Sequence, residues 1–98
     1  MSDSVIQLLD FVQEELEGAD EYANLARHYK ATDGALSKLY ADIALQELTH
    51  VELFMHKASE LYANEPKEPG HSDAHLWLWE AKRVEHWIAR IKEKIDKK

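Results

Sequence analysis

The sequence predicts an all-α protein: a long antiparallel helical hairpin followed by a third helix. Three observations carry that expectation. Apolar residues recur at alternating steps of three and four, with no convincing alternation of period two. Gly and Pro are scarce, and apart from Gly18 they fall in two short breaks, Thr32-Asp33-Gly34 and Asn64 to Gly70. The segments between the breaks are too long for strands and right for helices, near 4–31, 34–63 and 73–96.

The first helix carries a wholly apolar stripe, Val5, Leu9, Val12, Leu16, Ala19, Ala23 and Ala26. At 1.5 Å per residue it would run about 42 Å. The second carries Ala41, Ala44, Leu48, Val51, Met55, Ala58 and Tyr62. Two such helices joined by a turn of two or three residues must pack antiparallel. Ser72 and Asp73 are N-cap candidates for the third helix. Its seam is Trp77, Ala81, Val84, Ile88, Ile91 and Ile95, and Trp79 and Trp87 lie off it, as a second contact surface or as caps on a small core. The basic run from Lys92 to Lys98 suits a helix C-terminus.

The 98 residues are read as a single domain, 1–98, with a small core that invites a partner or a metal as support. There is no Cys, so disulfides are excluded. The first residues carry acids and lack a basic leader region, and no run of 18 apolar residues occurs. These features predict a cytoplasmic protein with no membrane partner. Nineteen acids against twelve Lys and Arg give a net charge of −7, which argues against nucleic acid.

Each hairpin helix also carries a second stripe, and there the apolar pattern is interrupted. In the first helix it reads Leu8, Phe11, Glu15, Gly18, Tyr22, Leu25, Tyr29. In the second it reads Leu36, Tyr40, Ile43, Glu47, His50, Phe54, Lys57, Leu61. A carboxylate on a packing face needs a counter-charge, a shared proton or a metal, because stripping its water uncompensated costs several kcal/mol. In a hairpin turning at 33, position 15 lies level with position 51. Glu15, Glu47 and His50 therefore fall within about one helical turn of each other in height. Glu47 and His50 are three apart and share a helix face, so both can reach one cation.

One chain offers two carboxylates and one imidazole, too few to enclose two metal ions. Two chains about a two-fold axis offer four carboxylates and two imidazoles, and four negative charges balance two divalent cations. Mixed carboxylate and imidazole ligands suit iron or manganese, and zinc can compete. The bland alternatives are a buried Glu–His ion pair or a seam that is merely half exposed.

The segment QEELEGADEY (13–22) followed by ANLA resembles the first-helix motif of ferritin-like di-iron proteins, in which a ligand Glu is followed by a small residue at +3 and a Tyr at +7. Glu15, Gly18 and Tyr22 match it. LQELTH (45–50) resembles the Glu-x-x-His motif of the second helix. The resemblance covers roughly residues 5–62, and the layout is most similar to the encapsulated ferritins, whose chains supply half a four-helix bundle and dimerise; rubrerythrin and bacterioferritin carry both halves in one chain.

The resemblance implies a homodimer or higher oligomer, with two irons per dimer held by Glu15, Glu47 and His50. It implies a ferroxidase that oxidises Fe(II) with O2 or peroxide. It makes Tyr22 a hydrogen-bond donor to a ligand carboxylate. It places Glu14 and Glu17 on the path by which metal reaches the site, within an acidic stripe Asp10, Glu14, Glu17, Glu21, Asn24, His28 whose plain explanation is a solvated face. Two departures stand out. Position 46 is Gln where encapsulated ferritins commonly have an acid. The tail Ile95-Asp96-Lys97-Lys98 lacks the apolar docking peptide that targets cargo to an encapsulin shell, which argues against such a shell as partner. The competing expectation is non-enzymatic: a helical assembly module in which Glu47 and His50 form a structural ion pair or zinc site. His71, Asp73 and His75 are a minor metal candidate at the loop-to-helix junction, where Asp73 is better explained as a cap.

Overall fold

The computed structural model describes residues 1–66 and 73–96. The described residues form three helices, α1 (Asp3–Tyr29), α2 (Gly34–Ala63) and α3 (Ala74–Asp96). The expected boundaries hold to within one or two residues, and residues 67–72, including His71 and Ser72, lie outside the described residues. None of the described helices is long and apolar enough to cross a membrane.

Local chemistry fixes the helix ends. The Ser2 side chain accepts the backbone N–H of Val5 at 3.2 Å and caps α1. At the tight turn, Asp33 accepts from Leu36 N–H at 3.1 Å and caps α2. The Ser37 hydroxyl then donates to the Ala26 carbonyl at 2.6 Å, pinning the start of α2 to the end of α1. Asp73 stands just before α3, and its carbonyl accepts Trp77 N–H at 3.0 Å. Its carboxylate does something the sequence did not announce. It accepts the Tyr62 hydroxyl at 2.6 Å and pairs with the N-terminal ammonium of Met1. That ammonium and the Tyr62 hydroxyl hold the Asp73 carboxyl down at about 2. The same bond pushes the Tyr62 phenol up to about 12.

The core is the pair of apolar stripes closed by α3. Val12, Leu16, Ala19, Ala23, Ala44, Leu48 and Val51 form one cluster with Val84 and Ile91. Small residues on α1 let the hairpin helices approach closely. α3 runs parallel to α1 and antiparallel to α2, as paired residues show: Gln13 with Arg83, Asp20 with Lys94, and Tyr62 stacked on Trp77. It packs mainly on α1. The result is a rod 58 Å long and 18 by 14 Å across.

One anchor of α3 was invisible in the pattern. Asp20, half-buried on α1, accepts from Lys94 at 2.5 Å and from the Trp87 indole at 3.2 Å. Burial alone would raise the Asp20 pKa, but the Lys94 and Trp87 hydrogen bonds and the nearby positive charges outweigh it and lower it. Of the two places open to Trp87, it takes the cap on the core: it is half-buried against the core beneath the Arg83 guanidinium. Trp79 does stay exposed, at 63%.

Candidate functional site

α3 covers one face of the hairpin and leaves the other open. The interrupted stripes meet on the open face, ordered from one end of the rod to the other. Phe11 stacks on Phe54 with ring centroids 5.6 Å apart. Next come Glu15 and His50, with Glu15 Oε2 3.5 Å from His50 Nδ1. Glu47 follows, packed over Gly18. Beyond it Tyr22 stacks on Tyr40, and Tyr40 on Tyr29, at 6.0 Å each. The register expected from the hairpin holds to within one residue: 15, expected level with 51, meets 50, and 11 meets 54 and 18 meets 47.

At Gly18 the Glu47 carboxyl approaches α1 closely. A Cβ at this position would stand 3.2 Å from Glu47 Oε2, tighter than an ordinary van der Waals contact. The missing side chain lets the Glu47 carboxyl lie against α1 beside Glu15. Two carboxyl groups placed together cannot both ionise cheaply. The Glu47 carboxyl is accordingly pushed up to about 7. Its hydrogen bond to Glu15 is the largest cause, followed by burial and the Glu15 charge, with His50 opposing them.

The three side chains are half-open. Glu15 is 27% exposed and His50 55% exposed. The desolvation cost expected of a closed seam is thus largely unrealised in the single chain. It would arise only if something covered this face. Among the described residues, no group of three or more acidic or His side chains is arranged to hold a metal ion. A cation placed beside Glu15 and Glu47 would relieve the same repulsion that raises the Glu47 carboxyl.

The remaining candidates fall elsewhere. Tyr22 is placed by its stacking on Tyr40. Glu14 and Glu17 are exposed, and Gln13 donates to Glu17 at 2.9 Å. Glu17, Glu21, Asn24 and His28 line an open groove beside Trp87, between α1 and α3, rather than the face bearing Glu15. Asp73 is engaged by Tyr62 and the N-terminus, and His75 is exposed. Sequence reasoning missed Tyr40 as the ring that joins the aromatic stack. Its place seven residues before Glu47, on the same stripe, was the available signal. No family model, curated protein or solved structure matches the chain.

Proposed function

We propose that this chain is half of a ferritin-like four-helix bundle, and that two copies pair through the open hairpin face to bind and oxidise Fe(II). The observation that carries the reading is the meeting of Glu15, Glu47 and His50 at mid-height on the one hairpin face that α3 leaves bare. A two-fold pairing supplies four carboxylates and two imidazoles, the donor set of a dinuclear iron site in such bundles. Manganese or zinc would compete for the same ligands.

Fe(II) is the substrate, and its electrons pass to O2 or peroxide. The chain's own residues supply the rest. Glu15 and Glu47 provide negative charge, and the raised Glu47 carboxyl gives up its proton when Fe(II) binds. His50 offers a neutral nitrogen. Gly18 keeps the Glu47 carboxylate against α1. The Phe11–Phe54 stack on one side and the Tyr22–Tyr40 stack on the other exclude water along the seam. Tyr22 is positioned on the Glu15 stripe to donate to a ligand carboxylate once the face is covered. Glu14 and Glu17 extend the acidic surface that draws cations toward the hairpin.

The test is anaerobic addition of Fe(II) to metal-free protein, then admission of O2 while the near-UV ferric absorbance is followed. Uptake should approach roughly one iron per chain, as two irons shared by two chains require. Rapid oxidation should follow, and Glu47→Ala should abolish both. Oxidation no faster than the buffer blank rules the reading out. A second reading has one observation in its favour: the Glu15–His50 contact at 3.5 Å is already made within one chain. On that reading the protein is a helical assembly module with a structural ion pair, and Glu47→Ala leaves its assembly unchanged.

A further inference from the structure

The hairpin face that α3 leaves open differs in chemistry between its two helices. On α2, Leu36, Leu39, Ile43, Gln46, His50 and Leu53 follow alternating steps of three and four, the spacing of a packing seam. Leu39 is 52% exposed and Leu53 65%, and Gln46 and His50 are exposed with them. The same spacing on α1 gives Gln7, Phe11, Glu14, Gly18, Glu21 and Leu25. There Phe11 already leans on Phe54 of α2, while Glu14 and Glu21 stand exposed on either side of Gly18. One half of the open face is thus apolar and the other acidic.

We infer that α2 packs antiparallel on α2 of a second copy, about a two-fold axis at Gln46, while the acidic edges of α1 stay outside in water. The inference rests on the pairing proposed above and fixes which helices meet in it. Leu39 and Leu53 lie seven residues to either side of Gln46, so an antiparallel copy centred there sets each Leu39 against a Leu53. Glu47 and His50 lie one and four residues from the same centre. The leucines and the carboxyl–imidazole cluster therefore point independently to one height on the rod. Gln46 suits a place on the axis. A carboxylate there would face its own copy and be repelled, whereas two amides can each donate to and accept from the other. A polar residue at the middle of an apolar seam also fixes register.

The other pairings cost more. An antiparallel α1 pair about Gly18 would set Glu14 against Glu21, like charge against like. Laying α1 on α2 would press the same carboxylates onto leucines with no partner. The area is sufficient: a face of the rod, 58 by 18 Å, presents about 1,000 Å², against about 800 Å² per partner in an interface of standard size.

The full chain has no Cys, so single cysteines report without interference. Gln46→Cys and Glu21→Cys proteins are treated anaerobically with a short bismaleimide, metal-free and with Fe(II), while sedimentation reads the mass. Wherever the mass doubles, Gln46→Cys should be captured as a covalent dimer and Glu21→Cys should remain a single chain. Leu39→Ser with Leu53→Ser should weaken pairing at least about tenfold, because each copy withdraws two apolar side chains from the seam. Leu78→Ser, at a 54% exposed position on α3, should leave pairing unchanged. All three leucines are exposed, and circular dichroism checks that the helices persist. Capture through Glu21→Cys, capture through neither cysteine despite a doubled mass, or pairing that ignores the Leu39 and Leu53 changes overturns the inference and leaves the pairing standing. A mass that stays at one chain in every arm overturns the pairing itself, and the inference with it.

Discussion

The two faces of the α1–α2 hairpin have the same geometry and opposite chemistry. On the face toward α3, Leu16, Ala19, Ala23, Ala44, Leu48 and Val51 are almost wholly buried. On the other, Phe11 stays 40% exposed and two carboxyl groups and an imidazole occupy the middle. The first face is finished within one chain. The second is ordered, with its aromatic rings already stacked, yet carries a repulsion that folding leaves in place. The difference teaches that the first face stabilises the monomer, whereas the second is the face that the proposed pairing and metal would complete.

The comparison breaks most sharply at Leu16, which is fully buried. Leu16→Ala should cost about 2–5 kcal/mol in denaturant unfolding of the metal-free chain. Phe11→Ala, on the open face, should cost clearly less in the same measurement and show its main effect on metal-dependent association. Equal costs would mean that both faces are structural.

A second effect follows from Glu47, whose carboxyl ordinarily titrates near 4.5 and here near 7. Between those values the folded chain holds a proton that the unfolded chain has lost. The contribution to stability is therefore complete below about pH 4.5 and is lost as pH rises through about 7. Melting temperatures of metal-free protein across that window should fall for the wild type and flatten for Glu47→Gln. A Glu47→Gln profile parallel to the wild type would show that the carboxyl pair does not set the slope.

Smaller effects sharpen the same contrast. Gly18→Ala should raise the stability of the metal-free chain by up to about 1 kcal/mol through helix propensity. It should weaken iron uptake, because Glu47 must move away from α1. Loss of stability with uptake intact would contradict the role given to that close approach. Asp20→Asn removes the carboxylate that holds Lys94 and Trp87. Hydrogen exchange should then speed up in α3, with a cost of about 1 kcal/mol and unchanged iron binding.

Much of this was legible in the residues. Steps of three and four located the helices, and the interruptions at Glu15, Glu47 and His50 located the open face. Their common height followed from the length of each arm about a turn at residue 33. What could not be read was the placement of α3. Its seam, from Trp77 to Ile95, fits either side of the hairpin, so the parallel run along α1 and the use of Asp20 as an anchor stayed hidden. The choice for Trp87 between outer contact and core cap stayed open for the same reason, until its neighbour Asp20 is known. Asp73 announced itself as a cap, and only the fold brings Tyr62 and the N-terminus to its carboxylate.

The central claim is that the open face is completed by a second copy and a metal. The direct measurement is sedimentation of the protein at one concentration, metal-free and then with anaerobic Fe(II), followed by chelation. The mass should rise from one chain to two on adding Fe(II) and fall back with chelator, because four facing carboxylates oppose the dimer once the cations leave. Glu15→Ala and His50→Ala should each prevent the rise. A mass that ignores Fe(II), chelator and both substitutions would contradict the account.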